Sequence, residues 1–129
     1  MNKPDSPKER NLIKGAIRRV FSRSELRRAA MKDCVVPDYH DPSRPRVTKW
    51  ATCSICKELH PAYKMEIDHS EPVIPPGLTL DDMTWDEVID RLWCEPYNLK
   101  AVCKPCHKIK SKIENFERRR LKRERKNGE

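Results

Sequence analysis

Cys53-Ser-Ile-Cys56 and Cys103-Lys-Pro-Cys106-His107, with Ile67-Asp68-His69 and Asn98 between them, decide how this chain is read. Two CxxC pairs offer four thiolates that can close one tetrahedral zinc site. Pairing of this kind, with a histidine abutting the second pair, favours a metal over a disulfide framework. The need for such a staple follows from composition. Only 36% of the 129 residues are hydrophobic and 37% are charged, so the core is small and falls in the size range that usually needs a metal or disulfides. Cys53, Cys56, Cys103 and Cys106 are therefore the expected ligands of a structural Zn²⁺. Cys34 and Cys94 have no CxxC partners and read as packed thiols. His60, four residues after Cys56, is a competing ligand, disfavoured because four cysteines are available. His40, in a loop beside Tyr39, reads as a plain loop residue.

The net charge of +8 is unevenly placed. Residues 1–33 carry roughly +6, residues 34–107 roughly −4, and residues 108–129 roughly +6. Basic flanks around an acidic centre suit a polyanion held over a metal-binding site. No apolar run is long enough for a signal peptide or a membrane span, which points to a reducing, cytoplasmic location and no membrane partner.

Outward from the cysteines, the N-terminal side divides in two. Residues 1–7 hold two prolines and read as a frayed lead-in. Over residues 8–21, Leu12, Ile13, Ala16, Ile17, Val20 and Phe21 recur at helical spacing. Ser22 and Glu25 are spaced as a capping box for a second helix, with Leu26, Ala29 and Ala30 inside. Prolines 37, 42 and 45 then exclude a continuous helix over residues 34–50, which reads as an extended arm pinned by Val47 and Trp50.

Between the cysteine pairs, residues 64–67 alternate polar and apolar and predict a short strand ending at Asp68-His69. Residues 70–97 form a long acidic connection. Thr84 and Glu87 make a capping box within it and predict a helix with Trp85, Val88, Ile89 and Leu92 inward. Its aspartates lack calcium-loop spacing and read as partners of the helix dipole. Residues 98–102 predict a second, antiparallel strand. Pro105 suits the first turn of a helix running from about Cys103 through Phe116, followed by a frayed helical end or a solvated basic tail.

The order Asp68-His69, Asn98, His107 inside a double CxxC frame resembles the HNH nucleases, over about residues 50–112. The resemblance implies a small α+β protein. Its ββα-metal (treble-clef-like) core would be stapled by the four-cysteine zinc, with N-terminal basic helices and a helical insert between the two strands. It divides the chain into a basic helical segment and arm (1–49), an HNH domain (50–116) and a basic tail (117–129).

The function implied is metal-dependent hydrolysis of DNA phosphodiesters, with nicking the expected outcome for a monomer with one active site. Asp68 and His107 would hold a catalytic Mg²⁺, Mn²⁺ or Ni²⁺, and His69 would be the general base. Asn98 would hold His69 in position, and Lys110, one turn beyond His107, would contact the phosphate. Residues 14–50 also resemble the lead-in of small phage and prophage HNH proteins. That implies double-stranded DNA as partner, a role in phage DNA processing or packaging beside a terminase, and the host cytoplasm as compartment. The competing expectation is a non-catalytic four-cysteine zinc module that binds nucleic acid through its basic termini, for which Asp68, His69 and His107 only support the fold.

Two points are set by physics rather than resemblance. A helix turns roughly 100° per residue, so His107 cannot share the direction of Cys106. Neighbours on a regular strand face opposite ways, so Asp68 and His69 reach one phosphate only if the strand bends or ends there.

Overall fold

The structure is a computed structural model and describes residues 6–128. It is a small α+β arrangement with two antiparallel two-stranded sheets. Helix α1 spans Pro7–Phe21, opened by Ser6, whose hydroxyl accepts the Glu9 N–H. Of the expected lead-in, residues 1–5 lie outside the described residues, and Ser6 and Pro7 already belong to the helix start. The helix ends after Phe21, and α2 covers Glu25–Cys34. Its cap is Ser24, which accepts the Arg27 N–H, and not the expected Ser22. The Ser22 hydroxyl instead donates back to the Arg19 carbonyl and closes α1.

The arm over residues 35–49 contains no helix, as its prolines require. Val47 and Trp50 are buried at its end, with Tyr39 packed edge-on against the Trp50 ring. Strands β1 (Trp50–Thr52) and β2 (Leu59–Pro61) pair as a hairpin that sequence periodicity did not reveal. At three residues each, both strands are too short to show alternation. The loop between them is the first CxxC turn, and Lys57 sits in it at φ 64°, a conformation that normally favours glycine.

Strands β3 (Met65–His69) and β4 (Leu99–Cys103) form the second sheet, in register from Met65↔Cys103 to His69↔Leu99. Between them runs the insert with α3 (Trp85–Leu92), opened by the reciprocal Thr84–Glu87 capping box. Val88 and Leu92 are fully buried, each worth about 1.5–3 kcal/mol. Ile89, expected inward, is exposed, because the core takes the Trp85, Val88 and Leu92 edge of α3.

Helix α4 begins at Lys104, packs on β3 and β4, and runs unbroken to Asn127. The residues after Phe116, expected as a frayed helical end or a solvated tail, continue the same helix. Two long-range bonds hold the second half in place: Arg118 donates to the Ile74 carbonyl at 2.6 Å, and Arg125 pairs with Asp82 at 3.2 Å.

The core has two buried clusters, one around Phe21, Val73, Val88, Leu92 and Leu99, the other around Ala51, Cys53, Met65, Val102 and Cys103. Ile67 touches both. Two aspartates of the acidic insert are neutralised from outside it. Asp81 pairs with Arg10 of α1, and Asp82 with Arg125 of α4, beyond the helix-dipole role expected for them. The Thr79 N–H, first, and then the Arg125 guanidinium hold the Asp82 carboxyl down at about 2. No helix among the described residues is long and apolar enough to cross a membrane.

Candidate active site and metal centre

The β1–β2 turn and the β4–α4 junction bring four sulfurs together. Cys53, Cys56, Cys103 and Cys106 place their Sγ atoms all within 4.8 Å of one another, and Cys56 and Cys103 are 3.9 Å apart. A Zn–S bond near 2.3 Å sets tetrahedral S···S edges of about 3.8 Å, so the cluster fits a structural metal such as zinc. Burial pushes the Cys53 thiol up, but the N–H groups of Cys103, Cys56 and Ile55 outweigh it and hold it down to about 6. Cys106 is pushed up to about 12, first by its bond to Cys103 and then by burial. Crowded thiols such as Cys53 and Cys106 divide in this way because neighbours cannot all ionise together without a cation. His60 lies beside this centre, its Nε2 3.7 Å from Cys56 Sγ, and Glu58 completes a smaller Cys56, Glu58, His60 group. Cys34 and Cys94 are free thiols packed against the two core clusters, Cys34 donating to the Met31 carbonyl.

The adjoining face of the β3–β4–α4 unit holds the other candidate residues. Glu66 and Asp68 are two apart on β3 and share the face that meets α4. His107 bridges them: its Nδ1 is 3.0 Å from Glu66 Oε2 and its Nε2 is 3.9 Å from Asp68 Oδ1. With Nδ1–H given to Glu66, the ring keeps its Nε2 lone pair for the Asp68 side. An ion bonded to both atoms at about 2.1 Å spans separations up to about 4.2 Å, so 3.9 Å is within reach of a shared divalent cation. Glu66 was not singled out from the sequence. The available signal was its position two before Asp68 on a strand of period two.

His69, on the opposite face, is only 8% exposed and packs 5.2 Å from the Phe21 ring. Its Nε2 lies 2.8 Å from the Leu92 carbonyl oxygen, an atom that only accepts. Nε2 therefore carries the proton, and Nδ1 is the lone-pair nitrogen. Strand β3 ends at His69, and there Asp68, His69 and His107 line one cleft of about 430 Å³ despite the alternation of the first two. Lys14 and Arg18 of α1 and Arg118 of α4 line the same cleft.

Asn98 is not in it. Its Oδ1 accepts the Glu71 N–H at 2.8 Å, its Nδ2 donates to the Glu71 carbonyl, and its own carbonyl accepts the Ser70 N–H. It clamps the two residues that follow His69. Arg91 does the same further on, donating to the Pro72 and Val73 carbonyls.

Lys110, expected to contact a phosphate, is committed elsewhere. Its ammonium is 2.7 Å from Asp68 Oδ2, bonds the His69 carbonyl at 3.1 Å and bonds Glu114. Three donors meet three acceptors, which leaves none for a phosphate.

No protein-family model, no curated protein and no solved structure matches the chain.

Proposed function

We propose that this chain is a metal-dependent endonuclease of the HNH kind, with β3, β4 and the start of α4 as its ββα-metal core, hydrolysing phosphodiester bonds in DNA. One observation carries the reading. Each of the two cleft histidines has one ring nitrogen tied to an internal acceptor, which leaves His69 Nδ1 and His107 Nε2 with free lone pairs on residues that line the same cleft as Asp68. A purely structural histidine pair has no need of two oppositely fixed tautomers bordering one cleft.

In this mechanism His69 Nδ1 takes a proton from the attacking water, and the Leu92 carbonyl keeps the ring aimed while it becomes positively charged. Asp68 and His107 would hold Mg²⁺, Mn²⁺ or Ni²⁺, and Glu66 orients His107 for that task. When bound, such an ion supplies Lewis acidity at the scissile phosphate and its leaving oxygen. Asn98 fixes the chain leaving His69 and does no chemistry. Cys103 and Cys106 would bind the structural zinc from the β4–α4 junction, and the ion would brace the segment that carries His107. Work in phage DNA processing rests on the sequence resemblance of residues 14–50 alone.

A second reading, a non-catalytic zinc module that grips nucleic acid, is favoured by one contact: the Lys110 ammonium already neutralises Asp68. Conversion of supercoiled plasmid to open-circle or linear DNA separates the two. The nuclease nicks with an added divalent ion, stops with EDTA and fails as His69→Ala. DNA binding without cleavage under Mg²⁺, Mn²⁺ and Ni²⁺ selects the zinc module.

A further inference from the structure

The candidate cleft does not end at the histidines. A second cavity, of about 390 Å³, adjoins it and shares Lys14, Ile74 and Arg118 with it. Together they make one groove between α1 and the second half of α4, floored by residues 74–80. The charges along it are of two kinds. At the far end Arg10 and Arg125 are neutralised by Asp81 and Asp82 of the insert, while Lys122 on the same wall has no ion-pair partner among the described residues. At the near end, among the described residues, Lys14 and Arg18 meet no carboxylate within ion-pair distance, and Arg118 has only the Ile74 carbonyl.

We infer that this groove is a phosphate track for the substrate strand, with Lys14, Arg18 and Arg118 seating backbone phosphates next to the reacting one. The inference rests on the nuclease reading for its substrate. The carboxylates of this cleft, Asp68 and Glu114, are both taken by Lys110, so three cations face the groove without an ion-pair partner and are stabilised when an anion enters. Burial, and then the neighbouring cations, lower both Lys14 and Arg18 from their ordinary values, which is the mark of that crowding.

The acidic insert thins the charge at the far end of the track. Arg10 and Arg125 are already paired, so beyond Arg118 only Lys122 of the groove stays open, fifteen residues along α4 from His107. At about 1.5 Å per helical residue that is about 22 Å. It matches about six to seven nucleotides of one duplex strand at about 3.4 Å each. The partner is thus a polynucleotide backbone with several linked phosphates, gripped on one side of the cleavage point.

The test is the salt dependence of binding to a labelled DNA duplex, measured by anisotropy on the zinc-loaded protein without a second metal. Lys14→Gln, Arg18→Gln and Arg118→Gln each remove about one from the slope of log K against log salt. Arg118→Lys restores it. Arg46→Gln, an exposed cation on the arm, keeps the wild-type slope. Should Arg118→Gln melt early through loss of its Ile74 bond, the two α1 variants carry the test. Wild-type slopes in Lys14→Gln and Arg18→Gln overturn the track. DNA cleavage with those unchanged slopes removes the track and keeps the nuclease. Lowered slopes with no cleavage under any metal keep the track and remove the nuclease.

Discussion

The Nε2 of His69 and the carbonyl oxygen of Leu92, 23 residues apart in the chain, lie 2.8 Å from one another inside the protein. This bond ties the end of β3 to the end of α3 and sets which imidazole nitrogen keeps its lone pair. His69→Ala is expected to lower cleavage by about 10²–10⁴. It also strands the Leu92 carbonyl, at a cost of about 1–3 kcal/mol, so rates are compared well below the melting temperature of the variant. A loss of less than tenfold removes His69 as the base.

Glu66→Gln keeps the size of the side chain but weakens its hold on the His107 ring. Metal titration of cleavage is expected to shift to about 10–100-fold higher concentration, with most of the rate regained at saturating metal. An unchanged metal requirement would show that Glu66 does not orient His107.

Cys103→Ser removes a buried member of the sulfur cluster. Structural zinc contributes on the order of 10–16 kcal/mol in small modules, so the variant should lose both its metal and its cooperative melt. Metal analysis with a thermal melt checks this, and a zinc-free protein that melts like wild type rules out the assignment.

Ending the chain after Phe116 deletes the arginines that bond Ile74 and Asp82. A charged hydrogen bond is worth about 1.5–3 kcal/mol, so the melting temperature falls by at least about 4 °C. DNA affinity loses part of its salt dependence in the same protein. Weakened DNA binding with an intact melt means that the second half of α4 is a tail and not part of the fold.

Lys57 occupies φ 64° in the first CxxC turn. Lys57→Gly relieves the left-handed strain, and the melting temperature should hold or rise, by the equivalent of up to about 1 kcal/mol. A clear fall would mean that the Lys57 side chain supports the turn.

What could be read in the sequence was whatever is local or carried by spacing. The CxxC pairs gave the sulfur cluster, Thr84 and Glu87 gave the start of α3, and the prolines of residues 37–45 gave the arm. The errors arose where two local answers were equally good or where the partner is distant. Ser22 and Ser24 are both serines before the same helix, and only the backbone turn after Phe21 decides between them. Leu12, Val20 and Ile89 fit helical stripes yet stay exposed, because a small core covers only part of each stripe. The continuation of α4 depends on Ile74 and Asp82, some forty residues earlier, and no window along α4 contains them. The candidate site was legible as residue types, while the tautomers, Glu66 and the fully engaged Lys110 needed three dimensions.

The two halves of the sulfur cluster are about 50 positions apart in sequence, so a bound metal turns everything between them into a closed ring. Ring closure of that size removes about 3.5 kcal/mol of chain entropy once, while doubling its length adds only about 0.6 kcal/mol. The insert tip around Gly77 is therefore the place where this chain can gain or lose residues cheaply. Its length can drift to reshape access to the cleft, while the clasp at the ring's neck and the anchors at Ile74 and Asp82 keep the scaffold unchanged.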